Sequence, residues 1–179
     1  MTDIELRLPD WIKRYVKDDR HPVLSTARIL ALKVLNRINN QYWVEWAYEM
    51  LLAGFETENL IILTGMMEPF DYFEMQNLTG KVLAELNLDY TNKDKVIIQY
   101  TSYLTQQALL GTESIMKVLS ELRNVYIELD YYDLLQEFYF LYYAKEDLIE
   151  SEVQWYVNGV DRGNIDQVIR NYFKQWGHN

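Results

Sequence analysis

The chain has 179 residues, 49% hydrophobic and 25% charged, which is enough material for the core of one domain and unlike an intrinsically disordered composition. It contains no Cys, which excludes disulfides, thiolate metal sites and Cys nucleophiles, and its formal net charge of −10 argues against a nucleic-acid partner, since phosphate recognition needs clustered Lys and Arg. Seven Gly and three Pro are too few for a sandwich or barrel, which needs a turn about every 8 to 12 residues, and suit long elements with few corners.

Apolar spacing then predicts helices in order. Pro9 and Asp10 open a short one carrying Trp11, Ile12, Tyr15 and Val16, interrupted over 18–22. Ala27, Leu30, Ala31, Val34, Leu35 and Ile38 recur at three and four and form the face of a second, broken by Asn39 and Asn40. A third runs from about Gln41 to Ala53 with Tyr42, Trp43, Trp46 and Tyr48 on several sides, which predicts a central position. Gly54 closes it, Thr57 and Glu58 supply an N-cap hydroxyl and a first-turn charge, and Leu60 to Leu63 reach Gly65 as a short helix.

Pro69 and the Asp71-x-x-Glu74 pattern open the next helix, in which Gly80 predicts close approach of another backbone. Thr91 and Asp94 start a further helix ended by Gly111, and Thr112 caps its successor. That helix carries Ile115, Val118, Leu119, Leu122, Val125, Tyr126 and Leu129, a stripe continuing through RNVYIEL despite the strand propensity of Val, Tyr and Ile. Asp130-x-x-Asp133 leads into an aromatic helix reaching about Ile149, and Asn164-x-x-Gln167 boxes a last one with Ile165, Val168, Ile169, Tyr172, Phe173 and Trp176 on one face. The expected fold is all-α, an antiparallel helical bundle or irregular solenoid of helical hairpins with about eight helices, in a single domain over 1–179. No stretch approaches the roughly 18 apolar residues of a membrane span and the N-terminus lacks a signal pattern, so a soluble cytoplasmic protein is expected.

Catalytic signatures are missing. Zinc-protease, nucleophile-elbow, dinucleotide and P-loop motifs do not occur, and His21 and His178 stand outside any motif. Carboxylates are abundant. Between Glu121 and Asp166 eleven acids face three bases, a net of −8, so most of the imbalance sits in one quarter of the chain. Asp130, Asp133 and Glu137 fall at spacings of three and four, could share a helical face, and offer oxygen ligands for a hard divalent cation.

The same region holds Tyr131, Tyr132, Phe138, Tyr139, Phe140, Tyr142 and Tyr143, too widely spread around a helix to face one core. Aromatics left outside suit an interface, because Tyr and Trp bury large areas while keeping a polar atom available.

The stretches WAYEMLLAGFETENLIILTGM (46–66) and LLQEFYFLYYAKEDLIESEVQWYVNGVDRGNID (134–166) resemble segments of small helical bacterial proteins of unknown function. In these, a helix ending in Ala-Gly precedes a short apolar helix, and an aromatic helix precedes an acidic dipeptide. The resemblance, over about a third of the chain, implies an all-helical fold and a bacterial origin, and some such proteins look like immunity factors beside toxin genes.

The leading expectation is a non-enzymatic interaction protein, without cofactor or bound metal, in which Tyr131, Tyr132, Asp133, Glu137, Tyr143, Glu146, Asp147, Trp155 and Tyr156 meet a basic protein partner. Two other readings stand beside it: a carboxylate-based divalent-metal protein or enzyme, and a structural homo-oligomer closing on its own aromatics.

Overall fold

The computed structural model describes residues 23–176, and these form eight α-helices and one 3-10 turn with no strand among them. The expected helix near 9–16 and both histidines lie outside the described residues. No helix among the described residues is long and apolar enough to cross a membrane. The described residues divide into two compact units, one up to Tyr100 and one from Thr101 onward.

In the first unit the helices are α1 (Thr26–Val34), α2 (Asn40–Leu52), α3 (Glu58–Thr64) and α4 (Tyr72–Glu85), each packed on the next. The expected central position of α2 is corrected: Trp43 and Trp46 are buried on one face, but Tyr42 and Tyr48 on the other are exposed, so the helix is covered on one side only. Trp46 Nε1 donates to the buried Thr26 hydroxyl at 2.9 Å, which satisfies the N–H of a fully buried indole.

Helix ends follow one device. Asn36 (φ 51), Gly54 (φ 90), Asn87 (φ 53) and Gly111 (φ 79) are left-handed. At each, the next amide reaches back five residues: Arg37 N to Leu32 O, Phe55 N to Met50 O, Leu88 N to Leu83 O and Thr112 N to Gln107 O, at 2.9 to 3.0 Å. Gly65 differs, with φ −87, and closes its short helix without a left-handed residue.

Several predicted starts are corrected. Thr57 stands at the N-cap of α3 but its hydroxyl makes no capping bond; the Glu85 carboxylate of α4 instead accepts from the Asn59 backbone at 3.3 Å. Asp71 does cap α4 as expected, accepting from Glu74 N at 2.8 Å. A Cβ built on Gly80 meets nothing within 4 Å, so no backbone approaches it closely. Helix α5 (Lys93–Leu110) starts from Asn92, whose side chain accepts from Lys95 N at 3.0 Å, and not from Thr91. Residues 96–105 of α5 are buried without a break.

From Thr101 onward the chain adds α6 (Ile115–Glu128), the 3-10 turn Asp133–Leu135, α7 (Gln136–Glu150) and α8 (Ile165–Trp176). Ser114, not Thr112, caps α6 by accepting from Lys117 N at 3.1 Å; the Thr112 hydroxyl donates to Gln107 O. The stripe Val118, Leu119, Leu122, Val125 and Tyr126 is buried, so packing overrides the strand propensity of RNVYIEL. Helix α7 packs on both α6 and α8. Its Phe138 lies 4.9 Å from Tyr172, 5.9 Å from Phe173 and 5.4 Å from Trp176, ring centre to ring centre, and all four are buried.

Candidate functional site

The turn after α6 places the first aromatic. Asp130 (φ 57) and Tyr131 (φ 61) are consecutive left-handed residues without being glycine, a conformation costing about 1–2 kcal/mol each. Backbone bonds from Asp130 N to Ile127 O and from Tyr132 N to Tyr126 O hold the turn, and the Tyr131 ring packs edge-on to Tyr126 at 5.5 Å. Two successive reversals therefore project Tyr131 outward at 60% exposure.

From Tyr131 a continuous line of rings crosses the second unit. Tyr126 on α6 meets Tyr139 on α7 at 5.0 Å, Tyr139 meets Tyr143 one helical turn on at 4.9 Å, and Tyr143 stacks on Tyr156 at 5.4 Å with planes 28° apart. Burial, followed by the phenols of Tyr143, Tyr156, Tyr126 and Tyr131, pushes the Tyr139 hydroxyl above its ordinary value. Arg123 of α6 braces the line. Its guanidinium lies 4.5 Å from the centre of the Tyr142 ring and 5.8 Å from that of Tyr143, and Nη1 donates to the Tyr143 hydroxyl at 3.2 Å. Tyr142 in turn donates to Glu146 Oε1 at 3.0 Å; burial, then that carboxylate, raises its phenol.

Tyr156 and Trp155 are carried by the irregular segment 151–164, which is tied at both ends. Gln154 Nε2 donates to Val157 O and Val160 O, while its Oε1 accepts from the amides of Tyr156 and Val157, at 2.6 to 2.9 Å. Arg162 donates to Leu148 O and Ser151 O, and Asp161 and Asn164 exchange backbone-to-side-chain bonds. This last exchange replaces the predicted Asn164-x-x-Gln167 box, since Gln167 donates to Asn171 instead. The segment holds Trp155 at 89% exposure beside Tyr156 at 42%.

Of the nine residues predicted, the structure joins Tyr131, Tyr143 and Tyr156 through the ring line, adds Glu146 through Tyr142, and sets Trp155 next to Tyr156 in the chain. Asp147 is half-buried and its carbonyl receives the Ser151 amide. Tyr132 and Asp133 precede and open the 3-10 turn. Glu137 departs from the set. It is half-buried on the opposite side of α7, close enough for its charge to raise the Tyr172 phenol. The premise that Asp130, Asp133 and Glu137 share a helical face also fails: Asp130 lies in the left-handed turn and Asp133 in the 3-10 turn. No group of three His, Asp or Glu among the described residues could hold a metal ion.

Tyr126, which is buried, and Arg123 and Tyr139, which are half-buried, support the ring line from beneath and were not among the predicted site residues. The signal was spacing, with Arg123 and Tyr126 at i, i+3 on one helix and Tyr139 and Tyr143 at i, i+4 on the next.

Burial raises the Glu137 carboxyl above its ordinary 4.5. The folded state therefore binds this proton more tightly than the unfolded chain, so the contribution of Glu137 to stability is fully present below about pH 4.5 and is lost as pH rises through the folded value. Denaturant titrations of the wild type and Glu137→Gln are expected to show the variant gaining on the wild type between about pH 4 and pH 7. A difference independent of pH would contradict this account.

No family model, curated protein or solved structure matches the chain.

Proposed function

We propose that this chain is a non-enzymatic interaction protein, of the immunity or inhibitor kind, that binds a basic protein partner through its acidic aromatic surface. The observation that carries the reading is Trp155. A Trp at 89% exposure, on a segment held by the bonds of Gln154, Arg162, Asp161 and Asn164, is the arrangement of a rigid anchor that enters a partner's pocket without a large ordering cost. Tyr156, Tyr143 and Tyr131 extend it as amphipathic contact area, and the net −8 of residues 121–166 attracts a basic partner and speeds encounter.

The product of the neighbouring gene, tested by co-purification and titration calorimetry, is the first partner to try. A complex whose affinity falls as salt rises is expected, with Glu146→Lys/Asp147→Lys slowing association by about tenfold. Unchanged binding by that double variant would remove these residues from the site.

A further inference from the structure

A second stretch of the chain has the same character and lies in the other unit. Positions 38–80 contain seven acids and no Lys or Arg. All seven are exposed, and no ion pair engages any of them among the described residues. Between positions 52 and 73 the same stretch bares Met67 (80% exposed), Phe73 (79%) and Leu52 (71%), with Ile61, Ile62 and Tyr72 near half.

The short helix α3 explains why these side chains have nowhere to go. Leu60 and Leu63 are fully buried in the unit where α3 packs against α2 and α4. Ile61 and Ile62 lie on the other side of a helix too short to turn them inward, so α3 is apolar on both sides with only one covered. Leu52 ends α2 just before it, Met67 follows it, and Tyr72 and Phe73 open α4, ring against ring at 5.2 Å. Single exposed apolar residues are ordinary; five on three helices that pack in succession, with Met67 in the link between the last two, mark a surface that is covered when in use.

We infer that the α2–α3–α4 corner is a docking surface for a basic amphipathic helix of another protein. Its apolar stripe lies over Ile61, Ile62 and Phe73, and its flanking Lys and Arg meet Glu56, Glu58, Glu68, Asp71 and Glu74. Charge selects this occupant. A second copy of the chain would set two uniformly acidic faces against each other, while an uncharged helix would leave the acids without partners.

The test is calorimetric titration of the full chain with a synthetic amphipathic helix built only of Leu and Lys, with polylysine of equal length as control. Saturable one-to-one binding that weakens with salt is expected, with polylysine weaker by about tenfold or more. Ile61→Ser/Phe73→Ser is expected to melt like the wild type and to weaken the Leu/Lys helix by about tenfold or more, whereas Trp155→Ala leaves it unchanged, which separates this surface from the one proposed above. If the double variant melts lower, Leu52→Ser/Met67→Ser decides the same titration. Lack of saturable binding, equal binding of polylysine, undiminished binding by the variants, or a wild-type dimer in light scattering that the variants dissolve would each overturn the inference.

Discussion

Phe138→Ala is expected to destabilise the protein by about 3–5 kcal/mol, the usual cost of removing a large buried ring. The side chain is fully buried, and its contacts with Tyr172, Phe173 and Trp176 come from a separate helix, so no local rearrangement of α7 refills the space. Against a typical total of about 5–15 kcal/mol, this leaves a marginal or unfolded chain. A urea titration should show the midpoint falling at unchanged slope. Phe140→Ala, at a half-exposed position two residues on, serves as the control and is expected to lose less than about 1.5 kcal/mol. Equal losses at the two positions would mean that α7 does not anchor on α8 through Phe138.

Trp155→Ala is expected to weaken the complex with the basic partner by about thirtyfold or more, chiefly through faster dissociation, while leaving the melting temperature unchanged. Stability and binding should separate because the side chain is almost wholly in solvent and its segment is held by bonds from the Gln154 and Arg162 side chains to backbone carbonyls, not by its own packing. Fluorescence gives a second readout. Among the described residues Trp43, Trp46 and Trp176 are buried, so the part of a blue shift on complex formation that disappears in Trp155→Phe reports Trp155. A variant that binds normally would move the anchor elsewhere on the aromatic line. One that melts early would show that the Trp supports the fold.

The two effects belong to opposite ends of one structure. Phe138 fixes α7 against α8 from beneath, and the outer face of α7 then carries Tyr139, Tyr142 and Tyr143 toward α6 and the 151–164 segment. Arg123 contributes a positive charge to a negative region, but it is engaged beneath the rings by Tyr142 and Tyr143. Its role there is positioning.

Helical class and element order were legible because a recurrence of three and four needs no knowledge of what the helix packs against. The stripe of α6 shows this directly. Caps were less legible. Thr57, Thr91 and Thr112 have the right side chains, yet Glu85 reaches the start of α3, and Asn92 and Ser114 take the other two positions. A hydroxyl near a helix start has several partners within reach, and the path of the chain decides among them. The site was legible as a composition: acids and aromatics coincide in one quarter of the chain. Its geometry was not, since Tyr126 and Tyr139 meet only when α6 and α7 pack, and Glu137 turns toward Tyr172.

The amino-acid sequence by itself determined an all-helical chain, its acidic balance, and the left-handed closures at Gly54 and Gly111, because these depend on local spacing, charge and backbone freedom. Tertiary structure alone decided which aromatics form a line, which are left bare at Trp155 and Phe73, and which carboxylates stand apart. Those outcomes depend on which helix faces are covered, and that follows from contacts between residues far apart in the chain.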